Sequence, residues 1–300
     1  MNLEDFSYRE NDITIITACL EIVVFSDVPL EEGAKGFSKF YQEFRNRFGN
    51  EVKLYNTANM KIMKTVDSEV LNMVPFWLGG QTGIPKGDLG IEMHSGKTSK
   101  DAVPPAFDMY CDRTSDEPNA YFRMVLPVDW FVSDPTSFLE LVHSAISDFP
   151  LLSGYAGYSF FWQTRDPEIM EKAAEYYKPW LKRHPGFVHG ETMEFVETAL
   201  FGIVAVDWLT LLGSTYTEKL GGAERISKDL DNDIEVFPFN NGVIIQAGSL
   251  PKIGDVNRND RLEAYQKVAR YLMGLRAPVE EAWIEGFEPE ELEEWFARFD

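Results

Sequence analysis

Three hundred residues, 44% of them hydrophobic and 14% aromatic, can bury a full core, which excludes a disordered chain. Forty-nine acids against 28 bases give a formal charge of −21, a surface that repels phosphate backbones and attracts basic proteins, so direct nucleic-acid binding is not expected. The longest apolar stretch, 201–212, is broken by Asp207 and falls short of the roughly 20 residues that cross a bilayer. The N-terminal MNLEDFSYREND lacks the basic and apolar regions of a signal peptide, and Cys19 and Cys111 each sit in an apolar run as expected of buried free thiols. A reducing cytoplasm, with no membrane contact, is the expected location.

In chain order, residues 13–25, ITIITACLEIVVF, are rich in β-branched side chains and free of Gly and Pro, which predicts a strand buried on at least one face. Phe37, Phe40, Tyr41, Phe44 and Phe48 then recur at spacings of three and four, an aromatic stripe that a helix over 33–48 lays against a sheet. One or two short strands follow over 52–66, and the four glycines and one proline of GGQTGIPKG, 79–87, mark a surface loop. Such a loop cradles phosphate only where a helix N-terminus follows it, and 88–93 reads as a strand instead. Gly96-Lys97-Thr98 fails the P-loop spacing as well. Ile91 stands where the first glycine is required, and Pro104-Pro105 oppose the helix that should follow.

Residues 106–111 and 120–127 read as a hairpin across the polar turn 112–119. Asp134-Pro135 sets an N-cap and a proline at the head of a helix to about 148, with Phe138, Leu141, Val142 and Ile146 inward. A strand over 151–164, with small residues at Gly154, Ala156 and Gly157, precedes a second helix capped at Asp166-Pro167 and running to about 182. Arg183-His184-Pro185-Gly186-Phe187 reads as a surface turn. His184 and His189 flank Pro185 and Gly186 and cannot share a helix face as metal-ligating pairs do. Short helices over 215–220 and 223–230 hinge on Gly221-Gly222. Asp229, Asp231, Asp233 and Glu235 alternate, but Ile234 stands where a calcium loop requires glycine, which leaves a solvated turn. Strands over 234–239 and 243–247 form a hairpin across Asn240-Asn241-Gly242, and Pro251, Gly254 and Asp255 set the course of the next loop. Leu262, Tyr265, Val268, Ala269 and Leu272 define the inward face of a helix over 261–275, and Pro289 opens a short acidic helix carrying Leu292, Trp295 and Phe296.

These elements predict an α+β protein of layered sheets with packed helices. A single domain over 1–300 and two similar α/β halves, about 1–115 and 116–300 in one compact unit, are both compatible with the order of elements, since no residue-level repeat decides between them. No catalytic template is met: there is no GxSxG, HExxH, paired CxxC, P-loop or GxGxxG between strand and helix. His94, His143, His184 and His189 form no triad, and no cofactor or metal set is legible.

Over 120–275 the chain resembles the TsiV-like family of type VI secretion immunity proteins, named for protection against VRR-Nuc effectors. The resemblance rests on Pro185-Gly186, Trp208-Leu209-Thr210-Leu211-Leu212-Gly213, Leu220-Gly221-Gly222, Gly242-Val243-Ile244-Ile245-Gln246-Ala247-Gly248, Pro251, Gly254-Asp255 and Tyr265. It implies a cytoplasmic, non-enzymatic antidote that binds a cognate toxin, typically a nuclease delivered between bacteria, and blocks its substrate-binding surface. The matching motifs are rich in Gly, Pro and Trp and read as determinants of the fold, so no binding residue is carried over.

The candidate partner surface comes instead from charge. Residues 280–300 hold nine acids and one base, Arg298. Glu285, Glu288, Glu290, Glu291, Glu294 and Trp295 are the expected partner-binding residues, an aromatic anchor within an acidic rim suited to a basic toxin surface. The competing expectation is that Trp295 and Phe296 pack the terminal helix onto the core. A different class of function, a hydrolase whose site is assembled from scattered carboxylates, is the alternative, and a deep pocket of convergent acids with shifted pKa values would favour it.

Overall fold

The most apolar run of the chain becomes its longest strand, Ile13–Ser26, because both alternating sets of its side chains find cover. The structure, a computed structural model, describes residues 3–79, 87–190, 192–230 and 233–300; most of the glycine-rich loop at 79–87, and Asp231 of the acidic alternation, lie outside the described residues. Eleven strands among the described residues join one antiparallel sheet. They are β1 (Ser7–Glu10), β2 (Ile13–Ser26), β3 (Leu54–Thr57), β4 (Lys64–Thr65), β5 (Leu89–His94), β6 (Ala106–Cys111), β7 (Ala120–Leu126), β8 (Ser153–Trp162), β9 (Leu209–Gly213), β10 (Ile234–Phe239) and β11 (Gly242–Ala247). The order is β10-β11-β9-β8-β2-β7-β6-β5-β3-β4, with β1 pairing the start of β2. The class is the α+β one expected from the sequence. Because β7 lies between β2 and β6, the hydrogen-bonded ladder continues without a break across residue 115.

Alternation along the strands sorts side chains between two faces. One face carries Phe107, Phe122, Tyr158 and Phe160, and helices cover it. The helix Leu30–Phe48 buries the whole predicted stripe: Phe37 stacks on Phe122 at 4.7 Å and Phe44 meets Phe107 at 5.3 Å. Each such ring contributes about 1.5–3 kcal/mol of burial. The helix Pro135–Ile146 starts where the Asp134 carboxylate accepts the Ser137 amide at 3.3 Å, and its Phe138 stacks on Trp208 at 5.8 Å. The helix Pro167–Arg183 starts where Asp166 accepts the Glu168 amide at 3.1 Å, and it lays Trp180 on Phe160 at 5.2 Å.

The other face carries Glu21, Asp108, Arg123, Tyr155, Gly157 and Ser159, and the covering segment, 188–190 and 192–207, with only short helical turns at Thr192–Phe195 and Thr198–Phe201, crosses it. Val188 bridges Ser159 in parallel, and further along Asp207 lies on Gly157, where a Cβ would overlap the Asp207 carboxylate. Glycine there lets the segment lie flat. The terminal helix Pro289–Phe296 closes over this segment, with Trp295 parallel to Phe195 at 6.4 Å.

Both histidines expected on a surface turn are buried. The turn is drawn inward because the Gly186 amide donates to the Ile253 carbonyl at 2.9 Å, which seats it under the 248–257 loop. His184 Nδ1 lies 2.6 Å from the Gly254 carbonyl, and His189 sits edge-on to Tyr177 at 4.8 Å and Trp162 at 5.1 Å. Burial, helped by the charge of Arg123, pushes the His189 pKa down to about 3. The unfolded chain takes up that proton near pH 6.5, so as pH falls below about 6.5 the unfolded state binds more protons and stability drops, by at most about 1.4 kcal/mol per pH unit. His189→Gln should lose this dependence, so its stability deficit against wild type should shrink between pH 7 and pH 5 in urea titrations. A deficit constant over that range would contradict a buried neutral His189.

Candidate interaction surface

The six residues picked from the charge pattern divide into three kinds. Trp295 is only 4% exposed, which corrects its expected place as an exposed anchor. Leu292, Trp295 and Phe299 recur at spacings of three and four and all turn inward, while the Arg298 guanidinium covers the Trp295 ring at 4.0 Å. Arg298 also donates to the carbonyls of Pro185 at 3.0 Å and Val206 at 3.4 Å, tying the chain end to the crossing segment. Glu291 is held from two sides. Its carboxylate accepts the Glu288 amide at 3.0 Å and pairs with Lys178 and Lys182, both at 2.6 Å. These lysine contacts, Lys178 foremost, keep its pKa down at about 2. Glu288, Glu290 and Glu294 are exposed and Glu285 is half-buried, its backbone carbonyl accepting the Tyr177 hydroxyl at 2.5 Å.

The segment 192–202 adjoins these residues, and charge counting at the C-terminus alone passes over it. Ile203 donates to the Leu275 carbonyl at 2.8 Å and accepts from the Ala277 amide at 3.1 Å, so the two stretches share one outer layer. Neither 192–202 nor 277–297 contains a single Lys or Arg, whereas together they hold ten acids. That absence of bases was the available signal. The Glu194 carboxyl shows the crowding: its pKa is raised by burial, then by the charges of Glu285 and Glu197.

A second group of acids converges inside the molecule. Arg123 Nε donates to Glu21 Oε2 at 2.8 Å, Nη2 donates to the Phe160 carbonyl at 3.2 Å, and Nη1 sits 3.6 Å from Asp108 Oδ2. Burial pushes the Glu21 carboxyl up to about 7 and that of Asp108 up to about 6, against the pull of Arg123. The adjoining cavity, bounded by Glu92, Asp108, Arg123, Gln163 and Thr192, measures about 40 Å³. That is room for a few waters, against the roughly 300 Å³ or more of a ligand pocket. The cluster therefore ties β2, β6, β7 and β8 together and leaves a substrate no space beside it. Among the described residues no group of three or more His, Cys, Asp or Glu is placed to hold a metal ion, and no helix is long and apolar enough to cross a membrane. Cys19 and Cys111 are free and buried, as their apolar surroundings predict.

The same α+β architecture occurs in the Pseudomonas aeruginosa T6SS protein PA0821, which superimposes with a TM-score of 0.82 over 98% of this chain and 87% of that one at 20% identity. That likeness establishes the fold. The chain belongs to the TsiV family, type VI immunity for VRR-NUC, whose model matches residues 35–299. The toxic C-terminal tip of CdiA from P. aeruginosa in complex with immune protein also aligns, over 47% of this chain and 86% of that one at 15% identity, but its TM-score of 0.24 supports no structural argument. No curated protein matches the chain.

The placement of the terminal helix makes a direct prediction. Trp295→Ala should cost about 3–5 kcal/mol of stability in chemical denaturation, as for other buried tryptophans. Glu290→Lys or Glu294→Lys, on exposed positions, should stay within about 0.5 kcal/mol of wild type. A Trp295→Ala variant as stable as wild type would contradict the packing described.

Proposed function

We propose that this chain is a cytoplasmic immunity protein that acts by binding. It captures a cognate interbacterial type VI effector, a nuclease, and neutralises it by covering the surface that would take substrate. The observation that carries the reading is the family match over residues 35–299, nearly the whole chain. Charge supports the choice of target. A nuclease must present cations to phosphates, and a protein of formal charge −21 competes for such a surface while repelling nucleic acid itself. Electrostatic attraction would speed association, and shape would set which effector is recognised.

Co-expression with a candidate effector from the same organism tests the reading. The expected result is rescue of growth together with co-purification of a stable complex. Rescue without a complex would contradict direct inhibition. Covering the substrate surface makes a further prediction: a labelled DNA duplex bound by a cleavage-inactive effector should be released as this protein is added, in fluorescence anisotropy. A ternary complex that keeps DNA bound would contradict occlusion.

A further inference from the structure

We infer that the effector docks on the outer layer formed by 192–202 and 277–297, with Phe201 and Trp283 as apolar anchors and Glu197, Glu280 and Glu285 in the acidic rim, and that it meets this layer with a lysine- and arginine-rich surface around an apolar hollow. The inference rests on the immunity reading above and specifies where and by what chemistry the partner is held.

Exposed apolar side chains are the first ground. Of the large hydrophobic residues left exposed among the described residues, Met193, Phe201, Met273 and Trp283 belong to this layer or border it, and Phe201 and Trp283 are 58% and 49% exposed. The other five, Ile62, Phe76, Val132, Leu250 and Val256, are divided among four separate segments. Single exposed apolar residues are ordinary, but aromatic rings gathered beside charged groups mark interaction surfaces.

Charge decides the occupant. The two runs carry ten acids and no base, and among the side chains the structure describes there, Glu291 is the one paired with lysines, Lys178 and Lys182 of a neighbouring helix. A second copy of this chain would bring two such surfaces together and be repelled. Nucleic acid and an anionic bilayer would be repelled in the same way. A cationic protein surface relieves the crowding of Glu194, Glu197 and Glu285 while covering the rings.

The layer is also held in shape before any partner arrives. Lys178 Nζ donates to the Gly286 carbonyl at 2.7 Å, the Tyr177 hydroxyl fixes Glu285, and Trp295 and Arg298 clamp the terminal helix from beneath. A surface fixed in this way loses little freedom on binding. It also exchanges the aromatic roles read from the sequence: Trp295 supports the layer, and Trp283 is the ring that faces outward.

The test is the affinity of purified variants for the cleavage-inactive cognate effector, by calorimetry at low and moderate salt, with thermal unfolding of each variant as the check on folding. Trp283→Ala and Phe201→Ala should each weaken binding tenfold or more. The double reversal Glu197→Lys, Glu280→Lys should weaken it further and flatten its salt dependence. Ile62→Ala and Glu140→Lys, exposed elsewhere, should stay within threefold of wild type. If wild type binds and the folded surface variants also stay within threefold, the docking surface lies elsewhere and this inference fails while the immunity reading stands. If wild type itself does not bind, the immunity reading fails and this inference with it.

Discussion

Ten consecutive residue pairs join β2 to β8, from Ile16 opposite Trp162 to Phe25 opposite Ser153, and the rest of the molecule hangs on this ladder. Nearly every residue in it is buried, so its backbone amides and carbonyls have no water to turn to and must find each other. A register slip of one residue would exchange the two faces of β8. Phe160 and Trp162 would then leave their helix, and Gly157 would leave the place where only a hydrogen lets Asp207 lie against the sheet.

The two faces differ in what they must solve. The helix face is an aromatic core of ordinary kind, in which area removed from water outweighs lost side-chain freedom. The opposite face carries an arginine among carboxylates. Removing those charges from water is costly, and pairing offsets it only while the geometry stays closed. The covering segment, Trp295 and Arg298 provide that closure, and in doing so they support the acidic outer layer. Core polarity and surface charge are thus linked through one covering layer.

Much of this was legible locally. The aromatic stripe at 37–48, the capped helices after Asp134 and Asp166, and the hairpin across Asn240-Asn241-Gly242 each follow from short-range spacing or turn chemistry, and all are present. What escaped depends on partners distant in the chain. Glu21 and Arg123 are 102 residues apart, and neither has a local pattern that marks it as half of a buried pair. His184 and His189 look like turn residues because Pro185 and Gly186 lie between them, yet a loop some 70 residues later covers His184, and Trp162, Tyr177 and Phe195 enclose His189. The terminal acids were legible as a charge excess. Their aromatic neighbour was misjudged because Trp283 and Trp295 share the same acidic context, and only tertiary packing tells the outward ring from the inward one.

We propose that this protein works by presenting its acidic outer layer to a cationic effector. Hydrogen–deuterium exchange of the full chain, alone and with the cleavage-inactive cognate effector, tests it most directly. New protection concentrated in 192–202 and 277–288 is the expected result. Protection confined to other surfaces, with these two stretches unchanged, would contradict it.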